Sequence, residues 1–288
     1  MCVTLITAVR STTPTLTHVI PSPASGTTTV TAVTSLGDDV FVARFCNPQL
    51  EVYDAVTLTL QRCIKVPILH AWVSGLAACP NNNCLYASVC IADLVHRIKL
   101  SGSNAVKKWS VARRPRGLSV NSEHNLIVAC WEADRLQEYT THGSLVREIC
   151  LQAAVVTLPY HAIQLSTGDY VVSQCTSPGV VSVVGVDGQV VRSYGQSQTS
   201  DVGQMEYPAS LAVTKNDDIL VADEGNNRIL SINSSLGSIR ELALSVDAGI
   251  NCPLALCLDE SRGRLYVGEW SGESRVLVFC LRFVKLNS

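Results

Sequence analysis

Charge, aromatic rings and helical periodicity are all scarce in this sequence. Of its 288 residues, 16% are charged and 6% aromatic, against 47% hydrophobic, and the net charge is −2. So apolar a composition rules out an unfolded chain and demands a large buried core. A net charge this small gives no overall electrostatic attraction to nucleic acid or to acidic lipid. No run of about 18 residues is free of charged or polar breaks, so a transmembrane helix is not expected. The opening "MCVTLITAVR" has no basic segment ahead of its short, threonine-broken apolar stretch, so a secretory signal is not expected either. Twelve cysteines include no C-x-x-C pair. Most of them lie in apolar alternation, as Cys130, Cys150, Cys257 and Cys280 do, where a thiol behaves as a small hydrophobe. The closest pairs, Cys79 with Cys84 and Cys252 with Cys257, could approach within a hairpin or strand. A reducing, cytoplasmic location is the expectation these absences leave.

What the sequence does contain is repetition. An apolar run stepping to a small residue recurs at Val42, Ala87, Val128, Val172, Val221 and Val267, at intervals of 45, 41, 44, 49 and 46 residues. Each unit begins with a short strand, often after proline ("RPRGLSV", "YPASLAV", "CPLALCL"). A polar turn, the recurring strand, a second turn, a third strand and usually a fourth then follow. Strands of four to six residues with turn signals every 8–12 residues argue for an all-β chain. Six four-stranded units of this period predict a six-bladed β-propeller, in which each antiparallel blade buries both faces against its neighbours. One domain over 1–288 is expected, with blades near 26–65, 66–111, 112–151, 152–195, 196–245 and 246–288. Residues 1–25 would supply a closing strand and lead-in, because the last unit lacks a fourth strand of its own. Thr15–Ile20 is the preferred closing strand and Cys2–Val9 the competitor.

Blade five carries a family resemblance. "SYGQSQTSDVGQMEYPASLAVTKNDDILVADEGNNRILSIN", Ser193 to Asn233, resembles an NHL repeat in its glycine-rich lead-in, its proline before the inner strand, its "VAD" and its "GNNR" turn. The other five units are degenerate. Arg97, Arg135 and Arg275 are placed at the position of Arg228, whereas Gln49 and Gly179 replace it elsewhere. Asp223 is matched only by Glu269. In "DEGNNR", Asp223, Gly225, Asn226, Asn227 and Arg228 are read as a structural turn: Gly225 and the asparagines accept left-handed backbone, and Asp223 and Arg228 flank them as a pair.

In propellers of this kind the inner strands converge on a channel mouth. Alignment places Thr29, Ser74, Arg116, His161, Ala209 and Leu254 there, to within about one position. The resemblance brings lactonase-like and amidating enzymes to mind, whose mouths hold carboxylate and amide ligands for a calcium-type ion or three histidines for zinc. One histidine, one arginine and no carboxylate do not make such a set, so no metal and no cofactor is expected. Cys130 and Cys175 lie just past recurring strands, where a nucleophile is conceivable and a buried thiol is the plainer reading. A lone His161 beside a proline reads as a structural residue before it reads as half of an anion site with Arg116. Lys107, Lys108, Arg113, Arg114 and Arg116 put five positive charges within ten residues around Trp109. Some NHL propellers bind single-stranded RNA on such a face, so this segment is an RNA-binding candidate.

A non-enzymatic recognition platform is the function expected. It would be monomeric and would bind a protein or peptide through Arg113, Arg114, Arg116, His161, Trp131 and Trp270. Metal-assisted lyase or hydrolase chemistry in the channel is the alternative, and RNA binding the third reading. NHL propellers also accompany RING and B-box modules in ubiquitin ligases, and neither module is seen here.

Overall fold

The computed structural model describes residues 14–22, 29–68, 72–102, 105–152, 155–195, 203–242, 244, 249–271 and 273–281. These form six four-stranded antiparallel sheets arranged as a propeller, with no α-helix among them. Blade 1 starts at the inner strand Val30–Leu36, blade 2 at Gly75–Cys79, blade 3 at Pro115–Val120, blade 4 at Pro159–Gln164, blade 5 at Pro208–Val213 and blade 6 at Pro253–Asp259. In blades 1 to 5 the four strands pair in chain order. In blade 6, Thr15–Ile20 takes the fourth place and pairs antiparallel with Val276–Cys280. The competing segment, Cys2–Val9, lies outside the described residues.

Burial explains why these short runs are strands. Second and third strands such as Leu126–Cys130, Tyr170–Gln174 and Val180–Val184 are buried at every residue, because both faces are covered by neighbouring blades. Outermost strands such as Leu60–Lys65 and Leu145–Cys150 keep one buried residue each and leave the rest to solvent. Six apolar clusters fill the six seams between blades. In the seam between blades 6 and 1, Ile20, Val276 and Val278 pack with Val33, Val40 and Val42.

A second set of contacts fixes the turns at one rim. In blades 2, 3 and 5 the second strand runs into a single 3₁₀ turn, ended by a residue with left-handed backbone: Asp93, Asp134 and Asn227. Their side chains reach forward to accept the N–H of the residue before the next blade's proline. Asp93 takes Arg114 at 2.7 Å, Asp134 takes Leu158 at 2.8 Å and Asn227 takes Cys252 at 2.7 Å. The last residue of the second strand reaches backward in the same way. Gln174, Asp223 and Glu269 accept the N–H groups of Thr157, Glu206 and Asn251 at 2.7–2.9 Å.

"DEGNNR" is one of these turns, with its roles distributed differently from the expectation. Asp223, wholly buried, also accepts from Arg228 Nε at 2.7 Å and from Asn226 Nδ2 at 2.9 Å. Asn227 alone is left-handed, at φ 54°. Gly225 is set by space rather than by φ, since a Cβ there would press on the Glu206 side chain and carbonyl. Arg275 repeats the pair with Glu269 at 2.9 Å. Arg135 holds the equivalent place but turns to Glu148 at 2.7 Å, because Cys130 supplies no charge. Arg97 is not in that place: Leu94 opens its strand, and Arg97 donates to Cys84 Sγ at 3.4 Å. In blade 4 the place falls to Val180 rather than Gly179.

Candidate functional site

Inner strands of five blades carry a register shift near their start: at Val30/Ala32, Pro115/Leu118, Pro159/His161, Pro208/Leu211 and Pro253/Ala255. A bulge lifts a residue out of the two-residue alternation and re-aims its side chain. Thr31, Arg116, Tyr160 and Leu254, each following the first residue of its strand, accordingly line one mouth of the channel, joined by Ser74 of blade 2. Of the expected ring, Ser74, Arg116 and Leu254 line the mouth; Thr31 stands there in place of Thr29, Tyr160 in place of its neighbour His161, and Ala209 is buried behind the lining, because sequence spacing does not show where a bulge adds a residue. Bulged carbonyls lose ladder partners and find hydroxyls on the preceding blade. Ser88 Oγ donates to Arg116 O at 2.6 Å, and Ser173 Oγ to Ala209 O at 2.6 Å.

A second ring closes over the first. The residues just after the second strands of blades 3 to 6, namely Trp131, Cys175, Glu224 and Trp270, complete the lining together with Trp72. The result is a cavity of about 280 Å³ walled by three of the chain's four tryptophans and by Tyr160. Phe45 backs the wall, 4.4 Å from Trp72 and 5.7 Å from Trp270 between ring centroids. The Arg116 guanidinium lies 4.1 Å from the Trp131 ring centroid and 5.9 Å from that of Tyr160, within cation–π range. Its Nε is shielded from solvent without a hydrogen-bond partner, and no carboxylate among the described residues forms an ion pair with it.

Of the residues singled out from the sequence, the structure brings Arg116, Trp131 and Trp270 together and separates the others. Arg113 and Arg114 lie in a neighbouring depression with Cys90, Asp93 and Glu132, and both pair with Glu132, at 3.7 and 3.1 Å. Lys107 and Lys108 point outward from Val106–Ser110, the outermost strand of blade 2. The five positive charges are thus divided among three places: the mouth, the neighbouring depression and the outermost strand of blade 2. His161 sits below the mouth, in the bore. Its Nδ1 accepts from Leu211 N at 2.9 Å and its Nε2 bonds Leu118 O at 3.0 Å, so one ring ties blades 3, 4 and 5 and has no nitrogen left for a partner. Gly117 is required beside it, since a Cβ there would overlap the imidazole.

Glu224, Trp72 and Tyr160 are mouth residues that the sequence reading missed, whereas Cys175, singled out there with Cys130, does line the mouth and Cys130 is buried at the end of its strand. Glu224 lay within the turn taken as purely structural. The signal for it was positional: it follows Asp223 as Trp131 follows Cys130 and Trp270 follows Glu269. Burial pushes its carboxyl up from 4.5 to about 7. Burial and the neighbouring Glu224 push the Cys175 thiol up to about 12, the reverse of what a thiolate nucleophile needs. Among the described residues no group of three or more His, Cys, Asp or Glu side chains could hold a metal ion.

The raised Glu224 carboxyl sets a pH dependence. A group whose folded-state value lies above its unfolded one stabilises the fold below the unfolded value, and that stability is lost as pH rises through the folded value. Glu224→Gln is therefore expected to match the native chain near pH 4.5 and to exceed it in stability by about 2–3 kcal/mol at pH 8. His161 and His96, both lowered by burial, cost stability as pH falls below 6.5 in both proteins and cancel in the comparison. Urea midpoints across pH 4.5–8 check the difference.

Comparison with known proteins agrees with this architecture. Residues 205–230 match the NHL repeat model. No curated protein matches the sequence. Among solved structures, Kuenenia stuttgartiensis hydrazine synthase is similar over 91% of this chain and 100% of that one, at 14% identity and a TM-score of 0.63. A catalytically inactive virginiamycin B lyase from Staphylococcus aureus with quinupristin is similar over 92% of this chain and 99% of that one, at 13% identity and a TM-score of 0.64. A chain of the nidogen/laminin complex is similar over 81% of this chain and 86% of that one, at 15% identity and a TM-score of 0.63. Identities this low establish a shared fold.

Proposed function

We propose that this NHL-repeat propeller is a recognition module that binds a peptide segment of a partner protein in its aromatic channel mouth. The observation that carries the reading is the mouth cavity itself, where three tryptophans, Tyr160 and an arginine without an ion-pair partner among the described residues converge on one rigid rim. Tryptophan, tyrosine and arginine dominate the energetics of protein interfaces because they bury large areas and keep a polar handle. The solved relatives include both an enzyme and a chain of a protein complex, so their names do not decide between catalysis and binding. The ionisable groups favour binding: His161 has both ring nitrogens engaged, and the Cys175 thiol is held protonated. RNA binding is disfavoured because Arg113 and Arg114 are paired with Glu132 and lie apart from Lys107 and Lys108.

The test compares proteins captured by the native chain with those captured by an Arg116→Gln/Trp270→Ala variant, with and without RNase. Trp270 is 39% exposed, so its removal should leave the fold intact. Partners that bind the native chain, survive RNase and fall at least tenfold with the variant are expected. Capture that vanishes with RNase, or that is lost only with Arg113→Glu/Arg114→Glu, would overturn the reading.

A further inference from the structure

We infer that the group held in this mouth is the free C-terminal carboxylate of a peptide, bound edge-on by the Arg116 guanidinium with the last, apolar side chain among the tryptophans. The inference rests on the peptide-recognition reading above and narrows it to one end of the peptide.

Charge comes first. Arg44, Arg228 and Arg275, arginines held at blade ends near this rim, each reach a carboxylate at 2.7–2.9 Å. Arg116 reaches none among the described residues; its Nε is enclosed, and the side chain lines the cavity. A guanidinium that lines the cavity without a carboxylate beside it can take an anion on its Nη edge, and its planar fork matches a carboxylate in two parallel hydrogen bonds. The side chain is also held in place beforehand. Ser88 fixes its backbone carbonyl at 2.6 Å, and Trp131 and Tyr160 lie against the guanidinium, so little freedom is lost on binding.

The same stacking excludes the cations that aromatic boxes otherwise attract, because the faces of Trp131 and Tyr160 already carry one. Phosphate is a poorer fit: among the described residues Arg116 is the one basic side chain in the lining, and a single guanidinium leaves a dianion half neutralised. A carboxylate needs a single guanidinium, and Glu224 in its protonated form can donate to it. Size then selects the end of a chain over an acidic side chain within one. A volume of about 280 Å³ holds one bulky side chain and its carboxylate. An internal aspartate or glutamate would bring two strands of backbone and no apolar group for the indoles of Trp72, Trp131 and Trp270.

Because those indoles are three of the chain's four tryptophans, intrinsic fluorescence reports on the site directly. The probes are N-acetyl-Gly-Gly-Leu and N-acetyl-Gly-Gly-Phe, each as free acid and as C-terminal amide, with 3-phenylpropanoate as a small acid lacking a peptide. Saturable binding of the acids is expected, with the amides and the phenylpropanoate at least tenfold weaker. Arg116→Gln should abolish the preference for acid over amide. Arg116→Lys, which keeps the charge and loses the fork, should retain part of it. Equal binding of acid and amide would overturn the carboxylate assignment and leave the mouth a peptide site. Phenylpropanoate binding as tightly as the tripeptides, or no peptide binding at millimolar concentration, would overturn both this inference and the peptide reading beneath it.

Discussion

Removing residues 1–20 should destabilise the protein by more than any single substitution, on the order of 4–6 kcal/mol, and leave it prone to self-association. Thr15–Ile20 is the fourth strand of blade 6, and its partner Val276–Cys280 has Val276, Leu277, Val278 and Phe279 at 0% exposure. Without it, that strand becomes an unpaired hydrophobic edge, and Ile20, 1% exposed, leaves the seam between blades 6 and 1. A synthetic peptide spanning residues 14–22, added in trans, should restore much of the lost stability by supplying the strand from outside. Urea midpoints of the shortened chain with and without the peptide check this. A midpoint unchanged by the deletion would show that the ring does not depend on this pairing.

Arg44→Ala is expected to cost about 3–5 kcal/mol, because it strands a buried negative charge. Arg44 is fully buried, and its Nε bonds both carboxylate oxygens of Glu51, at 3.0 and 2.9 Å. Glu51 Oε2 also accepts from the Tyr53 hydroxyl at 2.9 Å, and burial with that neighbouring charge pushes the phenol up to about 12. The rest of the guanidinium crosses the seam: it donates to Ser274 O at 2.7 Å in blade 6 and to Pro21 O at 3.3 Å just after the closing strand. Arg44→Met/Glu51→Gln should recover a large part of the loss, since it removes both charges together. A double variant no more stable than Arg44→Ala would mean that the crossing bonds, rather than the stranded carboxylate, dominate.

The fold was legible because it depends on alternation and period, and both survive drift in individual residues. Val42, Ala87, Val128, Val172, Val221 and Val267 all fall within second strands whose central residues are buried, whatever their neighbours are. The mouth was legible in part. Trp131 and Trp270 were assigned to the expected contact face, and Arg116 both to that face and to the expected ring, and all three line the mouth. Tyr160 was displaced by His161 because a bulge adds a residue without a sequence signature of its own. Glu224 was hidden because Asp223 and Arg228 on either side of it so plainly build a turn. The basic segment shows a third limit: sequence proximity says nothing of the partner that Glu132 supplies to Arg113 and Arg114.

The forward-reaching side chains of Asp93, Asp134 and Asn227 bear on the order in which the molecule is made. Each spans only 21 to 25 residues, so each can close soon after the next blade's first strand has been synthesised. The bond from Thr17 Oγ1 to Val278 O spans 261 residues. Among the described strands, the one translated first is therefore the last to find its neighbour, and until then it must wait beside the growing stack with its own edge unmatched.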